Sequence, residues 1–304
     1  MNILLTGATG LLGSYVVRSW RGSGNLLGIY KGNYNVPDDR NVRYLSVDVR
    51  DREKLQRIFE KYPIDVVLHA AGEARVDFCE KNYELAYSAN VTGTENIAGM
   101  CRAHKSKMVY ISTNAVFDGT KPLYREEDEP NPMNSYGRIK LECEKLVGGS
   151  FDDFLIVRPI LMFGWNRPQE RENVATWILR KLRQGEQIKL VDDIYDNPLY
   201  ALQSAECIIK LVEKNKKGVY HIGGGDVVNR YQFGLAMAEV FDLDRDLIKP
   251  VKNAYFEEIA PRPKDTSYDT QKIRRELGIK PMGVREALGE MAKEMNYAFE
   301  KTAL

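Results

Sequence analysis

Thr6-Gly7-Ala8-Thr9-Gly10-Leu11-Leu12-Gly13 follows a short apolar run, Ile3–Leu5, and opens a stretch with helical periodicity, Leu11–Trp20. A tight turn between a strand and a helix needs glycine where side chains would clash, and the helix it opens points N–H groups at whatever lies above it. Gly7, Gly10 and Gly13 recur every third residue in that turn. In this setting the pattern reads as a cradle for a dinucleotide pyrophosphate, formed by Gly7, Thr9, Gly10, Leu11, Leu12 and Gly13.

Working outward, short apolar runs alternate with helical periodicity. Strands are expected at Ile3–Leu5, Leu26–Tyr30, Val42–Ser46, Val66–His69, Met108–Ile111 and Leu155–Val157. Helices are expected at Leu11–Trp20, Arg52–Tyr62, Leu85–His104 and Tyr136–Val147. Continuous apolar strands of this kind are buried on both faces, as in parallel sheets. The fold class is therefore α/β, a Rossmann-type doubly wound parallel sheet with a smaller α/β substrate-binding lobe. After Arg158-Pro159 the texture changes. A loop at Trp165–Arg171 precedes helical runs at Val174–Arg183, Ala205–Glu213, Tyr231–Phe241, Gln271–Leu277 and Val284–Met295, with strands at Ile188–Val191 and Gly218–Ile222. The expected division is a cofactor domain over 1–160 and a substrate lobe over 161–304, with part of 190–222 crossing back to the sheet.

NAD-specific folds carry an acid at the end of the second strand for the ribose 2′-hydroxyl. Here Gly28-Ile29-Tyr30-Lys31 offers a cation instead, so Lys31 points to the 2′-phosphate of NADPH, with NAD(H) as the alternative. Asp48 and Val49 follow the third strand and are placed to reach the adenine; a turn-capping role for Asp48 is the competing reading. Ala70, Ala71 and Gly72 follow the fourth strand, where small residues let backbone approach the cofactor. Asn90 sits inside a long helical run, a poor place for asparagine, which suggests a local backbone or water contact.

Tyr136 and Lys140 stand four residues apart on one helix face, and Thr113 ends an apolar run. A phenol titrates near 10, too high to trade protons readily at neutral pH. An ammonium one turn away is expected to lower that value and to hold the nicotinamide ribose. The Thr113 hydroxyl is suited to a hydrogen bond on a substrate oxygen. Cradle, hydroxyl, phenol and lysine in this order describe a nicotinamide-dependent oxidoreductase.

The 304 residues are 43% hydrophobic and 29% charged, with a net charge of +1. Nothing there argues for nucleic acid. Cys79, Cys101, Cys143 and Cys207 are too scattered for a Cys-x-x-Cys pair, and His69, His104 and His221 show no ligand spacing, so no metal site is expected. The first strand begins almost at Met1, leaving no room for a signal peptide, and no apolar run has the length of a membrane span. A soluble cytoplasmic protein is expected.

Several strings together resemble the extended short-chain dehydrogenase/reductases, and among them dTDP-4-dehydrorhamnose reductase and its relatives. They are Thr6–Gly13, Asn90–Asn96, Tyr110–Thr113, Val116–Gly119, Tyr124–Asp128, Pro132–Gly137 with Lys140, and Arg262–Asp269 with Lys272. The resemblance implies Thr113, Tyr136 and Lys140 as catalytic trio and NADPH-dependent reduction of a keto group on a nucleotide-linked deoxysugar. It also implies Arg262 at the substrate diphosphate, Asn114 in the sugar pocket, and a homodimer as a possible assembly. Asn114-Ala115 replaces the usual Asp-Tyr, and the run after Arg158 lacks the family's tryptophan. Thr113-Asn114-Ala115 lacks the two acids of a dehydratase, and no Cys/His pair supports a 3,5-epimerising reductase. A 4-epimerase of the same fold remains an alternative. So does a non-catalytic regulatory subunit resembling the methionine adenosyltransferase β subunit.

Overall fold

The computed structural model describes residues 1–304 except 23, 35, 37–41, 168–169, 258 and 301–304, and leaves out the side chains of 296–300. Positions 168–169 of the expected loop and the last four residues of the expected second lobe thus lie outside the described residues. The first half runs β1 (Ile3–Thr6), α1 (Leu11–Ser19), β2 (Leu26–Tyr30), β3 (Val42–Ser46), α2 (Arg52–Lys61), β4 (Val66–His69), α3 (Val76–Lys81), α4 (Tyr83–Tyr87), α5 (Gly93–His104), β5 (Lys107–Ile111), α6 (Ser135–Ser150) and β6 (Leu155–Pro159). The second half continues with β7 (Met162–Phe163), α7 (Val174–Arg183), β8 (Ile188–Val191), β9 (Tyr195–Asp196), β10 (Leu199–Tyr200), α8 (Ala201–Glu213) and β11 (Gly218–Ile222). It ends with β12 (Val228–Asn229), α9 (Arg230–Val240), β13 (Ile248–Val251), α10 (Gln271–Leu277) and α11 (Val284–Glu300).

Among the described residues one seven-stranded sheet has the order β11-β6-β5-β4-β1-β2-β3. Every pairing in it is parallel. Strand order reverses between β1 and β4, and the carboxyl ends of these two strands make the crevice where such sheets bind ligands. Side-chain alternation sorts the strands into two cores. Ile3 and Leu5 pack with Tyr15 and Val16 of α1 and Ile208 and Leu211 of α8 on one face. Leu4 between them packs on the other face with Leu55 of α2, Ile97 of α5 and Ile139 of α6.

The second half adds β11 to the sheet edge, in register with β6. Its other strands form three short pairs: β7 with β10, β8 with β13, and β9 with β12. Asn173 and Asn229 start α7 and α9 with reciprocal capping boxes, each side chain accepting a backbone N–H that the first turn leaves unpaired. Among the described residues no helix is long and apolar enough to cross a membrane.

The expected helix over Leu85–His104 starts earlier and is not uniform. It runs as α4, a π-helical turn over Ser88–Thr92 and then α5. The asparagine disfavoured in a regular helix lies inside that π turn. The six-residue α3 went unread because so short a segment shows no helical period.

Candidate functional site

The turn after β1 holds Gly7 at φ +68°, a conformation that favours glycine. A Cβ on Gly13 would lie 2.1 Å from the Gly7 carbonyl oxygen, so α1 can press onto the turn only with glycine there. Gly10 caps α1 without any side-chain hydrogen bond, leaving first-turn N–H groups for an external anion. Leu12 is buried in the core and Leu11 packs against it, so these two can offer only backbone.

A cleft of about 310 Å³ lies above this turn. Gly7, Thr9, Gly10, Lys31, Asp48, Val49, Ala70, Ala71 and Gly72 all line it, with Arg50 and Glu73, which the sequence reading did not single out. A free helix N-terminus, a glycine floor and a cation at the far end fit a nicotinamide dinucleotide. Among the described residues no cluster of His, Cys, Asp or Glu could hold a metal ion.

Beneath the cleft the hydrogen bonds have only one consistent assignment. Ala70 and Ala71 N–H donate to the Thr6 hydroxyl at 3.1 and 2.9 Å. Thr94 donates to the Asn90 carbonyl at 2.6 Å. His69 Nε2 must then donate to Thr94 at 3.1 Å, and Nδ1 accepts from Thr6 at 2.8 Å. Burial first, then the Lys140 charge, pushes the imidazole down to about 3, so His69 is neutral. The chain ties the ends of β1 and β4 to α5. Asn90 lies behind the cleft wall, donating to the Ala86 carbonyl at 2.8 Å and the Glu73 carbonyl at 3.2 Å. A Cβ on Gly72 would meet its Oδ1 at 2.3 Å. Gly72 was expected to make room for the cofactor; the neighbour it makes room for here is Asn90.

At the far end Lys31 is mostly exposed and pairs with Asp48 at 3.3 Å. Arg50 grips the same carboxylate through Nε (3.0 Å) and Nη2 (2.6 Å). The Arg50 hydrogen bonds hold the Asp48 carboxyl well below the usual carboxylate range. Asp48, expected near the adenine, is thus already committed to two cations.

Thr113 follows β5 and caps the turn Asn114–Val116, accepting from Ala115 N–H at 3.2 Å. Asn134 caps α6 by accepting from Gly137 N–H at 2.9 Å. Glu80 of α3 accepts from Ser135 N–H at 2.8 Å. These contacts fix the helix start that carries Tyr136. The half-buried Tyr136 phenol neighbours Thr113, whose own hydroxyl donates to Asn114 Oδ1 at 3.3 Å. Lys140, one turn on, is only 6% exposed. Its Nζ donates to the Ile111 carbonyl at 2.6 Å and sits 4.2 Å from the Tyr110 ring centre. Burial pushes Tyr136 up to about 12, partly offset by the nearby Thr113 hydroxyl. Burial likewise pushes Lys140 down to about 8. Desolvation thus opposes the lowered phenol expected from the sequence, and Lys140 turns one of its three N–H donors to the Ile111 carbonyl. Glu73 of the cleft wall acts electrostatically on Tyr136, while Thr113, Tyr136 and Lys140 are not themselves among the residues lining the cleft.

Asn114 donates to the Thr266 hydroxyl at 2.7 Å, and Asn134 to the Pro261 carbonyl at 3.0 Å. Arg262 pairs with Asp77 at 2.7 Å and donates to the Ala260 carbonyl at 3.0 Å. The segment Ala260–Tyr268 is thus strapped to α3, α6 and the Thr113 turn.

A family model described as the RmlD substrate binding domain matches residues 1–297. The chain is 31% identical over 281 residues to the protein named Probable low-salt glycan biosynthesis reductase Agl14 of Haloferax volcanii, covering 91% of this chain and 93% of that one. It is 28% identical over 297 residues to methionine adenosyltransferase 2 subunit beta of Xenopus laevis, covering 94% and 86%. Among solved structures, a dTDP-4-dehydrorhamnose reductase from Clostridium acetobutylicum superposes with a TM-score of 0.84 at 25% identity, covering 97% and 100%. Over nearly its whole length, then, this chain belongs to the RmlD substrate binding domain family, within the NAD(P)-dependent oxidoreductases of the extended short-chain dehydrogenase/reductase type.

Proposed function

We propose that this protein uses NADPH to reduce a keto group on a nucleotide-linked deoxysugar, dTDP-4-dehydrorhamnose being the first substrate to try. The observation that carries the reading is the Tyr136 phenol beside Thr113, one turn of α6 from the buried Lys140. The cofactor, when bound, supplies hydride. Tyr136 is protonated at neutral pH and gives its proton to the carbonyl oxygen as that oxygen becomes a hydroxyl. Thr113 orients that oxygen, and Lys140 stabilises the phenolate left on Tyr136.

Gly7, Thr9, Gly10, Leu11, Leu12, Gly13, Val49, Ala70, Ala71 and Gly72 hold the cofactor in this reading, with Lys31 favouring NADPH over NADH. Residues 161–304 form the lobe for the sugar nucleotide, with Arg262 and Asn114 as its ligands. The setting is cytoplasmic and the assembly a homodimer.

Loss of NADPH absorbance with a panel of keto-sugar nucleotides tests the reading. Turnover with at least one, and higher kcat/KM with NADPH than with NADH, is expected. Likeness to methionine adenosyltransferase 2 subunit beta favours a second reading, a regulatory subunit. No consumption with any substrate, together with a stable protein partner, would establish that alternative.

A further inference from the structure

A cluster of buried charge lies outside the cleft and is unused by the chemistry above. Arg158 of β6 and Glu144 of α6 are 4% and 5% exposed. They meet through Nε–Oε1 at 2.8 Å and Nη2–Oε2 at 2.6 Å, the bidentate fork of the strongest ion pairs. The third arm of the guanidinium, Nη1, lies 3.2 Å from His221 Nε2. A guanidinium only donates, so Nε2 accepts, and Nδ1 donates to the Tyr124 carbonyl at 3.1 Å. His221 is Arg158's register partner across β6 and β11, and Tyr268 stacks on it at 3.9 Å. The cluster thus joins α6, two strands, the loop at Tyr124 and the carboxyl-terminal segment.

Tyr136, Lys140 and Glu144 succeed one another every four residues, on one face of α6. The titratable groups acting on Lys140 come from each element packed on it. They are Cys143 and Glu144 from α6, Cys79 from α3, His69 from β4, and Tyr110 from β5. Burial raises both thiols, Cys79 to about 11, and His69 is neutral. Glu144 is therefore the anion in this set. We propose that Glu144, locked in place by Arg158, is a positioning residue that fixes α6 and the charge carried by Lys140. The proposal rests on Tyr136 and Lys140 being the catalytic pair, but the coupling it names can be measured without turnover.

The measurement is 13C NMR titration of the full chain labelled at the lysine ε-carbons, with Lys140 assigned by its missing signal in Lys140→Arg. Glu144→Gln keeps shape and removes charge; it should lower the Lys140 titration by about one pH unit, a tenfold loss of proton affinity. Arg158→Gln uncovers the carboxylate and should move it upward, so it carries the test if Glu144→Gln does not fold. In an active enzyme the alkaline limb of kcat should move with Lys140, while KM for NADPH stays within about twofold; a role in packing alone would lower the Tm without moving either titration. An unmoved Lys140 in either folded variant overturns the inference whatever the activity. A shifted Lys140 in a protein that turns over no keto sugar would defeat the proposed function and leave the coupling standing.

Discussion

Lys140 should cost stability at neutral pH, and replacing it with methionine exposes that cost. Its ammonium is 6% exposed and titrates at about 8 rather than 10.5, chiefly because burial penalises the charge. A lysine depressed in this way binds fewer protons folded than unfolded between pH 8 and 10.5. Its penalty is therefore full below pH 8 and fades as pH rises towards 10.5. The gap corresponds to about 3 kcal/mol. Methionine keeps the apolar stem but leaves the Ile111 carbonyl without its donor, a loss of about 1–3 kcal/mol. Lys140→Met should thus be neutral to about 2 kcal/mol stabilising at pH 7 and destabilising by about 1–3 kcal/mol at pH 10.5. Urea unfolding of both chains at each pH measures this. Groups away from Lys140 titrate alike in the two proteins and drop out of the difference, and His69, held at about 3, is neutral across this range. A stability difference that does not change with pH would refute the burial argument. Turnover should fall sharply in the same variant, since stability gained by removing a buried charge is taken from the group the chemistry needs.

Tyr136→Phe should reduce turnover by about 10²–10⁴-fold while NADPH still quenches protein fluorescence; near-normal turnover would end the catalytic assignment. Gly13→Ala places a methyl 2.1 Å from the Gly7 carbonyl oxygen and should destabilise by about 1–3 kcal/mol with loss of NADP binding, read by thermal melts. Gly10→Ala meets that same oxygen at 3.4 Å, an ordinary contact, so it should fold normally and weaken cofactor binding selectively. Asp77→Asn removes the charge opposing Arg262 at a partly exposed pair and keeps only a neutral acceptor; dTDP binding by calorimetry should tighten by up to about fivefold.

Much of the fold was legible because parallel strands announce themselves as apolar runs. Leu26–Tyr30, Val42–Ser46, Val66–His69, Ile188–Val191 and Gly218–Ile222 have the expected bounds, and the other expected strands differ by a residue or two. What escaped was decided by tertiary contact. The first turn of α8, Ala201–Ser204, was unread because Ala201, Gln203 and Ser204 are buried nearly all round, which erases the helical period. At the site, spacing revealed the phenol and lysine but not their titration. Neighbour charge can be inferred from an i, i+4 pair, whereas desolvation depends on what the fold stacks around it. Lys31 was visible as a cation; that Asp48 holds it together with Arg50 was not, because the pairing spans β2 and the turn after β3.

The polar groups marked for substrate share one property. Asn114 is bound to Thr266, and Arg262 to Asp77 and Ala260, while Asn134 holds Pro261. A sugar nucleotide reaching these groups exchanges partners rather than satisfying idle ones, and an exchanged hydrogen bond returns little net free energy. Polar contact alone is then a weak source of affinity here. In the proposed function, discrimination among sugars then falls to shape and to how well each accommodates the strap Ala260–Tyr268, which is tied to Asn114, Asn134 and Asp77. The departures from the family pattern support this view, since Asn114-Ala115 stands at the strap's own anchor point. An asparagine there donates to the Thr266 hydroxyl, whereas an aspartate would have to accept from it, so the change reverses the direction of that bond.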